Sequence, residues 1–223
     1  MGIPRALEPT GLILVDKPAG PSSHTVLDGV RRRTGARTGH AGTLDPFATG
    51  LLLLLSGRAT RMATWFVGLD KCYLTEVDLR ARTSTGDVEG EVIHASDPPG
   101  RRELEAALAG LRGAVELPIP AASAVKIGGE RAYRLHRRGV DVEMPVRRSR
   151  VDVLDVIAYT DGVATLELRV SSGTYIRSIA DVLGGHCRTL RRTEIGPFRV
   201  EEADDQRIVP VEEGLARIGV AVP

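Results

Sequence analysis

One stretch constrains this chain more than any other: Gly39-His40-Ala41-Gly42-Thr43-Leu44-Asp45-Pro46-Phe47-Ala48-Thr49-Gly50, followed at once by Leu51 to Leu55. Three glycines and a proline fix the shape of a loop that carries a histidine, two threonine hydroxyls and one carboxylate. Rigidly scaffolded loops are where chemistry concentrates. Pro46 pushes the backbone of Asp45 out of the helical region, which favours a carboxylate at the tip of a turn. The leucine run that follows must be buried, yet periodicity cannot separate strand from helix in so short an apolar segment. It is also far too short to span a bilayer.

The chain has 223 residues, 42% of them hydrophobic, which suits one large domain or one domain with a small appendage. A net charge of +1 gives no global basic signature, but the charge is uneven. Arg31-Arg32-Arg33, Arg137-Arg138, Arg147 to Arg150 and Arg188 to Arg192 form local clusters, a pattern that suits a polyanion on one face and equally a solvated surface. Only Lys17, Lys71 and Lys126 are lysines among 30 basic residues, and asparagine is absent. That reads as codon bias and draws attention to the lysines that remain, since a compact ammonium and a planar guanidinium do different jobs. Cys72 and Cys187 make no CxxC and no metal-ligand spacing, so a reduced, cytoplasmic compartment is expected. The first residues lack the charged and apolar regions of a secretory signal.

Gly11 to Pro18 reads as a buried strand ending at the proline, and Ser22-Ser23 as the cap of a helix over His24 to Arg33. Residues 1–10 read as a leader, Gly35 to Gly50 as loop and Ala59 to Val67 as helix. Lys71 to Leu79 alternates as a strand, Thr83 to Gly90 is a polar turn, and Glu91 to His94 a short strand. Arg101 to Leu111 is an amphipathic helix ended by Pro118 to Pro120. Residues 121–148 are rich in glycine and arginine, with a short helix near Ala132 to Arg138. Few apolar anchors suggest an exposed insertion that orders on its ligand. Ser149 to Tyr159 and Gly162 to Val170 form a hairpin about Thr160-Asp161-Gly162. Thr174 to Leu183 is helical, and Arg199 onward an acidic, then apolar tail. Strands joined by turns point to an α+β fold with a mixed, mostly antiparallel sheet and flanking helices. No GxGxxG or P-loop pattern follows a strand, so no nucleotide cofactor is expected.

Asp45 is the strongest candidate for chemistry: as nucleophile, general base or metal ligand, or else as a turn-capping residue. A metal would need several converging ligands, and only His40 is near in sequence, so none is expected. His40 suits a base, a stacking surface, or a hydrogen-bonded structural role. Tyr73, beside Lys71 in a strand, is either a core aromatic or part of a site in a chain only 4% aromatic. Ser171 to Ser178 runs from strand through glycine into helix and sets Tyr175 and Arg177 near the helix start. Arg177 there can hold a carboxylate ionised or make a structural salt bridge.

Several segments resemble the TruB-type tRNA pseudouridine synthases, which modify uridine 55 in the T loop. They are Leu14 to Gly20, Gly39 to Gly50, Lys71-Cys72-Tyr73, Thr83-Ser84-Thr85-Gly86-Asp87, Ser123 to Lys126, Gly173 to Arg177 and Leu190 to Thr193, in family order over about residues 11–200. The resemblance implies the pseudouridine-synthase fold with a thumb-like insertion over residues 121–148. It implies that Asp45 is the catalytic aspartate, that His40 fills the space of the flipped-out target, and that Tyr73 stacks on the target ring and takes part in proton transfer. Tyr175 and Leu190 fall at substrate-pocket positions, Arg177 at the arginine paired with the aspartate, and Lys17 and Lys126 at RNA-contacting or structural positions. An isomerisation needs no cofactor. The T arm of tRNA is the implied partner, with no DNA, membrane or obligate protein partner and a monomeric, cytoplasmic enzyme. Many bacterial members carry a C-terminal domain of the PUA type; the match here ends near Val200, so a single catalytic domain over 1–223 is expected. An RNA-binding or RNA-folding module and a guide-dependent synthase within a ribonucleoprotein are the alternatives.

Overall fold

A computed structural model describes residues 9–220, so all but the last two residues of the expected leader lie outside it. Strand β1 (Gly11–Lys17) gives way at Pro18 to a turn, and the Ser22 hydroxyl caps α1 (Ser23–Thr34) by accepting the Thr25 N–H at 3.1 Å. The chain continues through β2 (Thr38–His40), the Asp45 loop, β3 (Thr49–Ser56), a 3₁₀ turn over Gly57–Met62 and α2 (Ala63–Val67). Next come β4 (Lys71–Asp78), β5 (Ala81–Thr83), β6 (Val92–Ala95), α3 (Arg101–Ala109) and β7 (Gly113–Pro118). The hairpin β8 (Lys126–Ile127) and β9 (Glu130–Arg131) precedes α4 (Ala132–Arg137), the long hairpin β10 (Val146–Thr160) and β11 (Val163–Val170), and α5 (Ile176–Val182). The chain closes with β12 (His186–Ile195), β13 (Phe198–Arg199), a 3₁₀ turn, β14 (Asp204–Val209) and α6 (Val211–Arg217).

Two compact units result among the described residues: 9–72 with 191–220, and 73–190. In the first, the strand order is β14-β1-β3 followed by the end of β12, with β2 beside β3. β1 and β3 are antiparallel from Gly11↔Ser56 to Lys17↔Gly50, while β3 and β12 are parallel at Thr49↔Arg191 and Gly50↔Arg192. The leucine run is a strand because it is covered on both faces. Leu51, Leu53 and Leu55 pack with Leu12, Phe66, Phe198 and Leu215, whereas Leu52 and Leu54 pack with Ile13, Val15, Leu27 and Val30. A strand buried on both faces reads as a continuous apolar run rather than an alternation.

In the second unit the order is β12-β4-β11-β10-β7. β10 and β11 are antiparallel, turning through Asp161 (φ 52°) and Gly162 (φ 76°), the paired left-handed residues of a tight hairpin. The mixed, largely antiparallel sheet with flanking helices agrees with the sequence expectation.

Four local expectations are corrected. The segment Gly35 to Gly50 is not all loop, since β2 lies within it. α3 keeps close to the expected span of 101–111, but Pro118 to Pro120 are not what ends it: Gly113, at φ 83°, opens β7, which pairs with β10 from Gly113↔Val151 to Pro118↔Val146. That pairing puts residues 146–148 in the sheet, so the insertion between β7 and β10 ends before Val146. The insertion also has internal structure, in β8, β9 and α4, with the Ala132 N–H donating to Val125 O at 2.8 Å. Finally, the tail past Arg199 is part of the fold: β14 pairs with β1, and Val209, Val211 and Leu215 are buried in the core of the first unit.

Candidate active site

In the first unit the loop from His40 to Gly50 is held from three sides. The first turn of α1 reaches it through Ser23, whose hydroxyl donates to Leu44 O at 2.8 Å and accepts the Leu44 N–H at 2.7 Å. From below, Lys17, fully buried, donates to Pro18 O, Pro21 O and Pro46 O at 2.9, 2.9 and 3.1 Å. Arg192, 1% exposed, clamps both shoulders: Nε donates to Leu51 O at 2.7 Å, and Nη1 and Nη2 to Thr43 O and Gly42 O at 3.2 Å. Gly50 makes this approach possible. Its φ is 101°, and a β-carbon there would sit 2.2 Å from Arg192 O. A turn closed by the Ala48 N–H on Asp45 O at 3.2 Å then presents the half-buried Asp45.

Two further basic groups crowd the same loop. Lys71 is buried and donates to Val67 O and Leu69 O; its Cε is 3.9 Å from where a β-carbon on Gly42 would be. Burial, with Arg192 adding to it, pushes the Lys71 ammonium down to about 8. His40, at the end of β2, buries Nδ1 without a hydrogen-bond partner. Burial first, then the charges of Arg192 and His24, hold its pKa below the ordinary histidine value, so the ring is neutral at neutral pH.

The second unit carries the other candidates. Tyr73 lies on the buried face of β4 with Thr75 and Val77, and Leu190 is buried on β12. Arg177, 3% exposed in the first turn of α5, donates to Thr85 O at 2.7 Å and Ala122 O at 3.1 Å, and its Nη1 is 3.6 Å from Asp87 Oδ2. Asp87 is itself buried and accepts the Thr85 hydroxyl at 2.6 Å and the Glu89 N–H at 3.0 Å. Sequence reasoning quoted Asp87 within a segment but gave it no role. The signal was there: an acid two residues past a threonine in a Gly turn organises that turn about its own carboxylate. Arg177 thereby ties the turn over residues 83–90 to Ala122, at the root of the insertion. A cavity of about 360 Å³ opens beside it, lined by Thr85, Gly86, Ile119, Met144 and Asp181 among others. Tyr175 is half-buried just before α5, and Lys126 is exposed on β8.

His40, Asp45 and Lys17 thus meet at one loop of the first unit, Lys17 from the end of β1, whereas Tyr73, Tyr175, Arg177, Leu190 and Lys126 belong to the second. Arg192 and Lys71, which no site assignment from sequence included, belong with Asp45. Among the described residues no cluster of three or more histidine, cysteine or acidic side chains is placed to hold a metal.

Solved structures share this architecture. A Cbf5-Nop10-Gar1 complex superposes with a TM-score of 0.66 at 26% identity, over 86% of this chain and 51% of the other. A pseudouridylate synthase structure superposes with a TM-score of 0.53 over 96% of this chain and 75% of the other, a likeness in fold alone at 16% identity. The present chain thus spans about half the length of the Cbf5 chain. The fold is therefore that of the pseudouridine synthases. Within that class, the model of the TruB family pseudouridylate synthase (N terminal domain) matches residues 31–176. Proteins called tRNA pseudouridine synthase B are 43% identical in Mycobacterium sp. (strain KMS) and 44% in Corynebacterium glutamicum (strain R), each over 206 residues, 86% of this chain and 69% of the relative. The chain belongs to the TruB family of pseudouridylate synthases.

Proposed function

We propose that this protein isomerises uridine 55 in the T loop of tRNA to pseudouridine, with Asp45 as the essential carboxylate. The observation that carries this reading is the Asp45 loop, buttressed by two buried cations, in a chain 43% identical to proteins named tRNA pseudouridine synthase B. The reaction breaks N1–C1′, turns the base, forms C5–C1′, and moves a proton off C5 while N1 regains one. No atom or electron is gained overall. The target base is first extruded, at a cost of a few kcal/mol, which stacking on a flat side chain offsets. Asp45 acts at C1′, at the pyrimidine ring or on the C2′ proton, and each route needs it ionised.

Tyr73 supplies the stacking face. Its hydroxyl takes part in proton transfer. His40, neutral and poor in partners, occupies the space that the extruded nucleotide vacates. Tyr175 and Leu190 shape the base pocket, and Arg177, held by Asp87, supplies positive charge to the reacting carboxylate. Lys126 meets RNA from the insertion. Lys17, with its ammonium fully engaged by carbonyls, acts by holding the loop. The same reading has the enzyme working as a cytoplasmic monomer without an obligate protein partner. The guide-dependent alternative rests on fold likeness at 26% identity or less, against 43–44% for the tRNA enzymes.

Mapping the modification tests the proposal. After incubation with full-length tRNA, carbodiimide treatment and reverse transcription should give one strong new stop, at uridine 55. A stop elsewhere, or none on any tRNA, would refute it.

A further inference from the structure

Two exposed arginines of the first unit are neutralised at close range: Arg33 by Asp205 at 3.1 Å and Arg199 by Glu194 at 3.3 Å. Arg31, Arg32 and Arg37 are set apart by place, since Arg58, Arg61 and Arg207, also exposed and also without a recorded carboxylate partner among the described residues, do not share their hollow. Arg31, Arg32 and Arg37 are all exposed, and together with Asp28, Gly35 and Ala36 they line one open depression of about 500 Å³ at the C-terminal end of α1. Among the described residues none of the three has a carboxylate partner. The nearest carboxylate, Asp28, lines the depression with them. Asp28 lies three and four residues before Arg31 and Arg32, the spacing at which helical ion pairs form, yet it faces His24 at 3.5 Å. Three guanidinium groups and one carboxylate around one hollow leave an excess of positive charge that attracts an anion. The partial negative charge of the helix end accounts for cations in the last turn of α1. It does not account for Arg37, which stands beyond the capping Gly35.

We propose that this hollow is a second RNA contact, a phosphate-binding surface for the sugar–phosphate backbone of the substrate, separate from the pocket that receives the target base. This presupposes the tRNA substrate argued above. The helix links the two places. Its first turn fixes Leu44 beside Asp45 through Ser23, and its last turn presents Arg31 and Arg32, about 12–14 Å further along the axis. An RNA with its target nucleotide at Asp45 therefore has phosphates several nucleotides away that come within reach of these arginines. Guanidinium groups are suited to this, since their donors match phosphate oxygens two at a time. Such contacts position the RNA and add affinity without touching the chemistry.

The test compares wild type, the triple variant R31E/R32E/R37E and a control, Arg102→Glu, an exposed α3 arginine in the second unit. Each is titrated with full-length unmodified tRNA transcript at several salt concentrations, and turnover is followed by tritium release from C5-labelled uridine. The triple variant should bind about tenfold or more weakly, with its log Kd against log salt slope shallower by about 2 to 3, as expected for three lost phosphate contacts. Its KM should rise with kcat at saturating tRNA unchanged, and its melting temperature should match wild type, while Arg102→Glu tracks wild type throughout. Unchanged affinity and salt slope in a folded triple variant would overturn the proposal. So would a fall in kcat at unchanged KM, which would place the arginines in support of the loop instead. Failure of wild type to release tritium from any tRNA would sink the tRNA reading, whereas the binding titration reads the arginine surface independently.

Discussion

At the scale of single residues, the carboxylate of Asp45 depends on cations that never meet solvent. Two of the three lysines in this arginine-rich chain are buried, and Lys17 shows why an ammonium was kept: its three donors point to three converging carbonyls. Arg192 does what an ammonium cannot, since its planar fork spans carbonyls on both shoulders of the loop. Arg192→Lys should leave at least one buried carbonyl unsatisfied and lower stability by about 1–3 kcal/mol in urea unfolding. Tritium release should fall as the loop loosens; full stability and full rate would show that the clamp is dispensable. Asp87→Asn should slow the reaction at saturating tRNA by leaving Arg177 without its buried counter-charge, and an unchanged kcat would remove Asp87 from the site. His40 adds a pH signature. Its folded pKa lies below its unfolded value, so in the window beneath about 6.5 the unfolded chain binds more protons and stability falls on acidification. His40→Gln should flatten that fall in unfolding free energy between pH 6.5 and 5 relative to wild type, and parallel curves would contradict it.

At the scale of elements, legibility followed the burial pattern. β1, α1, β4, α3 and the β10–β11 hairpin announce themselves through alternation, caps or the Asp161-Gly162 turn. β12 was hidden because two of its buried positions are Cys187 and Arg192, so its sequence reads as a basic cluster. β7 was hidden between a glycine and a proline, and β14 because it is a polar strand, Asp204 to Val209, with only its last residue buried. Asp45 and Arg177 stood out as charged groups beside glycine turns. The buttress of Lys71 and Arg192 did not, because a buried cation clamped by carbonyls has no sequence signature of its own. The tail is the element that most changes expectation. Leu215→Ala, which empties a site 3% exposed in the core of the first unit, should cost about 2–5 kcal/mol in urea unfolding. A cost near zero would mean that α6 is not packed as described. The insertion has few buried side chains, among them Ala132. Trypsin should therefore cut at Arg131 to Arg138 before other sites, and tRNA should slow that cut. Equal rates with and without tRNA would contradict its role as an RNA contact.

At the scale of the whole molecule, a net charge of +1 conceals a division of labour among the arginines. Some are neutralised on the surface, Arg192 is buried against the Asp45 loop, Arg177 is buried beside Asp87, and among the described residues Arg31, Arg32 and Arg37 have no recorded carboxylate partner. The proposed catalytic residues are likewise divided: Asp45 and His40 in one compact unit, Tyr73 and Arg177 in the other, with the boundaries inside β4 and β12. Asp45 is the group assigned the attack at C1′ or the ring, or the abstraction of the C2′ proton, so Asp45→Asn is the most direct test. It keeps the size and hydrogen-bonding capacity of the side chain and removes its charge. Under single-turnover conditions with saturating C5-tritiated tRNA, the variant should bind tRNA as tightly as wild type and release no tritium above background. Release at a rate within tenfold of wild type would contradict the assignment of Asp45.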